Sequence, residues 1–159
     1  MAYRLLAIAV GSGRAGYIFF IGDRLTKWEM SRQAAGSPAG VQKVVSKWLK
    51  DLAPDAIILE QLTKSSRKGA RVRSINAQIK ALAEQCGILA VETEPMSGFK
   101  NKYEAAAHLV ERFPELKPYQ PKRPRFYDKE PRTTVLFDAL ALAVAVRSGP
   151  AQALAAGIG

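Results

Sequence analysis

Two acidic residues occupy positions where buried apolar residues would be expected. Glu60 closes the apolar run 57–59, and Asp138 interrupts the apolar run 134–146. A lone buried carboxylate is strongly disfavoured unless a cation meets it. On a chain of formal net charge +10, two such acids indicate metal-ion chemistry on a polyanion. The alternative is that Glu60 and Asp138 form structural ion pairs with two of the many arginines.

The chemistry that suits these acids is phosphodiester hydrolysis assisted by Mg²⁺. This ion prefers oxygen ligands and tolerates shared waters and phosphates. Two ions about 3.5–4 Å apart would activate water and stabilise the leaving oxygen. Glu60 lies at the carboxyl end of its predicted strand, where open α/β sheets place their binding crevices. If the helix that carries Asp138 packs across the sheet, Asp138 can approach Glu60 and the end of the first strand.

The basic residues are clustered, and clustered cations favour nucleic acid as the partner. One cluster falls within ten residues, and a second occupies a short proline-rich segment; their members are Lys64, Arg67, Lys68, Arg71 and Arg73, then Lys117, Lys122, Arg123, Arg125, Lys129 and Arg132. Phe126 and Tyr127 lie within the second cluster, where they could stack on bases or pack the loop onto the body. The alternative for the charge is a soluble basic protein with solvated lysines.

Length and composition indicate one globular domain. The 159 residues are 48% apolar and 24% charged, which argues against wholesale disorder. No apolar stretch is long enough to span a membrane, and the N-terminus does not resemble a signal peptide. A single cysteine, Cys86, fits a reducing cytoplasm; it lies on the apolar stripe of a predicted helix, so we expect it in the core. We expect a domain over 1–148 and a tail over 149–159.

Hydrophobic periodicity predicts the elements that position the acids. Three strands come first, with a hairpin turn at Gly22 and Asp23. Helices then alternate with two buried strands, at 56–59 and 88–91, before an irregular loop over 114–131. The last helix, 133–147, is apolar nearly all round and should be the most buried. The order β-β-β-α-β-α-β-α-α predicts an α/β fold, a mixed five-stranded sheet with helices on both faces.

Three segments carry a resemblance to a known family. They are LLAIAVGSGRAGY at 5–17, AIILEQL at 56–62 and DALALAV at 138–144. With these segments the chain resembles the RuvC-type Holliday-junction resolvases of the ribonuclease H-like superfamily, in order and approximate spacing. The match covers nearly the whole domain. Its last motif is the most specific, whereas the first alone would be weak.

The resemblance implies a set of metal ligands that this chain carries in part. The family uses an Asp in the first strand, a Glu ending the fourth strand and a pair of ligands in the last helix. Glu60 and Asp138 match the second and the final ligand, but Ala9 and Val135 replace the other two. Glu130, in the loop upstream, is a candidate replacement for the ligand missing at Val135.

The resemblance further implies a Mg²⁺-dependent, structure-selective DNA endonuclease of recombination and repair, with two Mg²⁺ or Mn²⁺ ions and a homodimeric assembly. Branched or duplex DNA would be the partner, and the expected DNA-binding residues are Lys64, Arg67, Lys68, Arg71, Arg73, Lys122, Arg123 and Arg125. With Ala9 in place we expect little or no cleavage. Whether the substitution was introduced or is natural stays open. The alternatives are a non-catalytic DNA-binding module on the same fold and a protein-interaction scaffold.

Overall fold

The structure, a computed structural model, describes residues 3–11, 13–62, 69–125 and 131–148. The strands are β1 (Arg4–Val10), β2 (Ala15–Ile21), β3 (Arg24–Ser31), β4 (Ala56–Glu60) and β5 (Leu89–Thr93). The helices are α1 (Pro38–Leu52), α2 (Ala70–Gln85), α3 (Lys102–Arg112) and α4 (Thr134–Ser148), with short 3-10 helices at Gln33–Ala35 and Pro114–Tyr119. The predicted order of strands and α-helices is confirmed. The predicted tail at 149–159 lies outside the described residues.

The five strands form one mixed sheet in the order β3-β2-β1-β4-β5. The first three strands pair antiparallel, and Gly22 turns the β2–β3 hairpin with a positive φ of 60°. β4 then pairs parallel with β1, and β5 pairs parallel with β4. The central strand is therefore β1, and the predicted mixed five-stranded sheet is confirmed.

Helices cover both faces of the sheet, as predicted. Along β1, Leu5, Ala7 and Ala9 pack with α3 and α4, whereas Leu6 and Ile8 pack with α1 and α2. This alternation follows from the two-residue period of a strand. We call the first side the α4 face and the second the α1 face.

The start of α1 and the burial of α4 both follow from their sequences. At the start of α1, Ser37 Oγ accepts a hydrogen bond from Gly40 N–H (3.1 Å), and Pro38 occupies the first turn. α4 is buried along nearly its whole described length, which confirms the expectation drawn from its apolar composition.

On the α1 face, Tyr17 packs edge-on against Trp48 and donates to Glu29 Oε2 (3.2 Å). Burial, reinforced by Glu29, raises the pKa of Tyr17.

Three local expectations are wrong. Cys86 is exposed, because α2 ends at Gln85 and its apolar stripe finishes at Ala83 rather than at the cysteine. The strand predicted at 88–91 is β5, an edge strand that is half exposed, with Leu89 42% exposed. The segment after α3 is also more regular than expected, because Pro114–Tyr119 forms a 3-10 helix. None of the helices in the described ranges is long and apolar enough to cross a membrane.

Candidate active site

The candidate site lies at the carboxyl edge of the sheet, where β1 and β4 separate. Their parallel pairing runs from Leu5–Ala56 to Ala7–Ile58, although both strands continue beyond these residues. Ala9 and Glu60 each follow the last paired residue of their strand by two positions. Ligand crevices of open α/β sheets form at this kind of strand end.

Glu60 is the last residue of β4 and is half-buried. Ala56 and Ile58 of the same strand pack into the core with α4, and strand alternation favours this face for Glu60. Glu60 also lines a cavity with Arg73, Asn76 and Lys80 of α2. Its main chain is held by two neighbours: the Gln61 N–H donates to Thr93 O (2.8 Å), and Asn76 Nδ2 donates to Glu60 O (3.3 Å). The end of β4 is therefore fixed from both β5 and α2.

Asp138 approaches the same edge from α4. It is half-buried in the second turn of the helix, one turn before Ala141. Ala141 O accepts from Met96 N–H (3.3 Å), and Met96 follows Thr93, the β5 residue paired with Glu60, by three positions. Glu60 and Asp138 line different cavities, one with residues of α2 and the other with residues of α3. Their approach to a shared metal site stays a prediction.

The two remaining family positions are apolar and closely packed. Ala9 is 3% exposed and pairs with Gly16 of β2, and Val135 is 4% exposed. A Cβ added at Gly16 would lie 3.0 Å from Val135 Cγ1, so α4 approaches the end of β1 closely. Both positions therefore present methyl groups near the end of β1.

The residues present do not fit a pair of hard cations. Glu60 and Asp138 are the expected ligands, and nowhere in the described ranges do three His, Cys, Asp or Glu side chains gather to hold a metal ion. Mg²⁺ needs near-octahedral oxygen coordination, and methyl groups at positions 9 and 135 supply none of it. Asp23 offers no substitute, because it lies at the opposite end of the sheet and pairs with Arg147 (2.8 Å).

Two of the predicted DNA-binding arginines lie at the start of α2. Arg71 Nη2 donates to Ala35 O (3.1 Å) and to Gly36 O (2.9 Å), so it ties α2 to the segment before α1. Arg73 is half-buried and lines a cavity of about 290 Å³ with Glu60 and Lys80. A contact between either arginine and DNA stays a prediction.

In the second cluster, Lys122, Arg123 and Arg125 are exposed, and they follow Tyr119, which packs against the core of the α4 face. Several other predicted residues lie outside the described residues: Lys64, Arg67, Lys68, Phe126, Tyr127, Lys129 and the candidate ligand Glu130. Their roles stay predictions.

Sequence reasoning missed two features beside the site. One is the ion pair between Lys80 Nζ and Glu92 Oε1 (3.1 Å) across α2 and β5, in which the hydrogen bond to Glu92 raises the pKa of Lys80. The other is a cavity beside Asp138 that contains the buried Thr134. The i, i+3, i+7 spacing of Arg73, Asn76 and Lys80 could have indicated a polar stripe facing β4. No sequence pattern indicated the cavity.

Comparison with solved structures identifies the fold. No protein-family model matches the sequence, and no curated protein matches it. Among solved structures, RuvC of Thermus thermophilus in complex with a Holliday junction substrate is 18% identical, with a TM-score of 0.66 over 92% of this chain and 96% of that chain. The chain has the RuvC fold.

Further structures share the RuvC fold. RuvC of Thermus thermophilus without the substrate is 18% identical, with a TM-score of 0.60 over 91% of this chain and 95% of that chain. The fowlpox virus Holliday junction resolvase is 17% identical, with a TM-score of 0.59 over 91% of this chain and 96% of that chain. The ribonuclease H-like architecture expected from the sequence is thereby confirmed.

Proposed function

We propose that this protein is a structure-selective DNA-binding protein of the resolvase type, and that Ala9 leaves it with little or no cleavage activity. The observation that carries the proposal is the RuvC fold over 92% of the chain, shared with a RuvC structure bound to a Holliday junction substrate. Glu60 and Asp138 at one sheet edge, together with a net charge of +10, support it. Branched DNA is the proposed partner, with duplex DNA bound less selectively.

Cleavage would require a divalent ion, Mg²⁺ or Mn²⁺, and more oxygen ligands than Glu60 and Asp138 supply. The missing group would be an acid at position 9, on the strand next to the one that Glu60 ends. With a carboxylate there, Glu60 and Asp138 would complete a set suited to two ions, the arrangement used by many phosphodiesterases. With Ala9, the chain's own residues bind and orient DNA.

A second candidate is a DNA-binding module that has lost catalysis altogether. Val135 favours this alternative, because a second ligand position besides Ala9 is apolar and packs within 4.0 Å of the Cβ position of Gly11. The two candidates differ in a single respect. An acid introduced at position 9 should produce cleavage if the first candidate is right and should leave the protein inactive if the second is right.

The deciding experiment is Ala9→Asp, assayed on four-way junctions with Mg²⁺ or Mn²⁺. We expect cleavage to rise by at least about 100-fold over the Ala9 protein, since metal ions supply several kcal/mol of transition-state stabilisation. Glu60→Gln or Asp138→Asn in the same background should remove it again. Asp23→Asn is the matched control, because it makes the same chemical change at the far end of the sheet.

Two results would count against the proposed site. Robust cleavage by the Ala9 protein that survives Glu60→Gln would place the active site elsewhere. A folded, DNA-binding Ala9→Asp protein that stays inactive would favour the non-catalytic module. Because Ala9 is buried, folding of the variant should be checked by circular dichroism in the presence of Mg²⁺.

A homodimer is also part of the proposal. Two symmetric strand cuts in a four-way junction require two sites, and closed twofold dimers are the commonest way for proteins to supply them. Sedimentation with and without DNA would measure the assembly.

A further inference from the structure

A cavity of about 340 Å³ lies between α3, α4 and the segment that follows β5. We call it the α3–α4 cavity. Its walls are mainly apolar, with Met96, Phe99, Leu109 and Phe137 among them, and its polar groups include Thr134 and Asp138. Small-molecule sites occupy roughly 300–1,000 Å³ and combine apolar walls with a few polar groups. The cavity therefore has the size and the chemistry of a site for one compact ligand group.

Thr134 is an independent indication that this cavity receives a ligand group. The residue is 3% exposed, and its Oγ1 is buried without a hydrogen-bond partner among the described residues. A buried hydroxyl without a partner destabilises a protein, so such groups are rare unless they serve a purpose. A ligand with a polar edge would supply the missing partner after a small rotation of the threonine side chain.

The position of the cavity specifies the ligand group further. Asp138 belongs both to the cavity wall and to the candidate active site, so a group in the cavity would lie beside any phosphate held at that site. Phe99 adds a half-buried aromatic wall, tilted at 40° to the ring of His108 with centroids 5.1 Å apart. Flat walls with polar groups at one side suit a planar heterocycle that has apolar faces and a hydrogen-bonding edge.

We propose that the α3–α4 cavity receives one unstacked nucleobase of the DNA strand bound at the candidate site. This inference rests on the proposed function and adds to it a source of selectivity. Removing a base from a regular duplex costs a few kcal/mol, and less where the base is already unpaired. Base pairs at a branch point lack a continuous stacked neighbour on one side, so removing a base costs less there and the cavity favours branched DNA over duplex.

The test uses a four-way junction with the fluorescent base 2-aminopurine, placed in turn at each position around the branch point. Binding of the unaltered protein without metal should increase the fluorescence at one or two positions, because the base leaves its stack. Ala105→Leu should abolish the increase and weaken junction binding about tenfold, the scale of one lost base-stacking contact. Ala105 lines the cavity and is half exposed, so a leucine can fill the space without entering the closed core.

Ala107→Leu is the matched control. It lies on the same helix, is exposed and does not line the cavity, so the fluorescence and the affinity should stay unchanged. Thr134→Val provides a second variant that removes only the hydroxyl. It should keep the fluorescence increase while reducing the difference in affinity between junctions that carry different bases at the responsive position.

Each other outcome overturns a defined part of the inference. Junction binding without any fluorescence change, or with equal changes in Ala105→Leu and Ala107→Leu, overturns the nucleobase site and leaves the proposed function standing. Absence of DNA binding overturns both. Saturable binding of free deoxynucleosides without DNA, blocked by Ala105→Leu, would show that the cavity takes free nucleosides and overturn its assignment to the DNA strand.

Discussion

At the scale of single residues, the site is defined by four positions of contrasting chemistry. Glu60 and Asp138 carry carboxylates to one edge of the sheet, whereas Ala9 and Val135 offer only apolar surface there. Glu60 was predictable because an acid after three apolar strand residues is conspicuous. Its relation to Ala9 depends on the β1–β4 register, which joins residues about fifty positions apart and follows from no local pattern.

Thr134 yields a prediction on stability. Thr134→Val keeps the shape of the side chain and removes a buried hydroxyl that lacks a partner, so the free energy of unfolding should rise by about 1 kcal/mol. Urea denaturation of the two proteins measures the difference. Thr133→Val, one residue earlier and half exposed, should change stability little. Destabilisation by Thr134→Val would mean that the hydroxyl has a partner in solution.

At the scale of elements, the approach of α4 to the sheet depends on Gly16. A Cβ at this position would lie 3.0 Å from Val135 Cγ1 and 3.3 Å from Glu29 O. Gly16→Ala should therefore destabilise the protein by about 1–3 kcal/mol, as overpacking does. Shortening the facing side chain with Val135→Ala should relieve part of that cost, so the double variant should be more stable than the sum of the single changes indicates.

Thermal or urea unfolding of the four proteins in this cycle measures the coupling energy. Gly13→Ala is the control, because nothing lies within 4 Å of a Cβ added at Gly13. Additive single changes, with no coupling between Gly16 and Val135, would contradict the packing described at the end of β1.

The bounds of β1, β2 and β3 were predictable, because apolar runs end at glycines and at the hairpin turn. The exposure of β5 and of Cys86 was not predictable. An apolar run has the same composition in a central strand as in an edge strand, and only the sheet order reveals that none of the described strands pairs with the outer side of β5. The same limit applies to the α3–α4 cavity, which exists only where the segment after β5 crosses α4.

At the scale of the whole molecule, the net charge of +10 governs association with DNA. If six phosphates are neutralised, affinity for a junction should fall about a thousandfold between about 50 and 200 mM salt. Fluorescence anisotropy across that range measures the slope. Equal affinity at both ends would remove electrostatics from the proposed function.

Charge reversal in the second basic cluster tests whether this part of the surface contacts DNA. Lys122→Glu with Arg123→Glu should weaken binding to all DNA sequences and reduce the salt slope, since both side chains are exposed and follow Tyr119, which packs against the core of the α4 face. Lys50→Glu, exposed on α1 across the sheet, is the matched control and should have a smaller effect.

The place of α4 in the chain has a consequence for biosynthesis. This helix covers β1 and β2 on one side of the sheet, yet it is the last helix of the described chain. A ribosome that has completed β1 to β5 has therefore exposed an apolar sheet surface whose cover does not yet exist. Nascent chains with such surfaces are prone to aggregate and are substrates for chaperones. Translation speed between β5 and residue 148 thus sets how long this sheet remains uncovered.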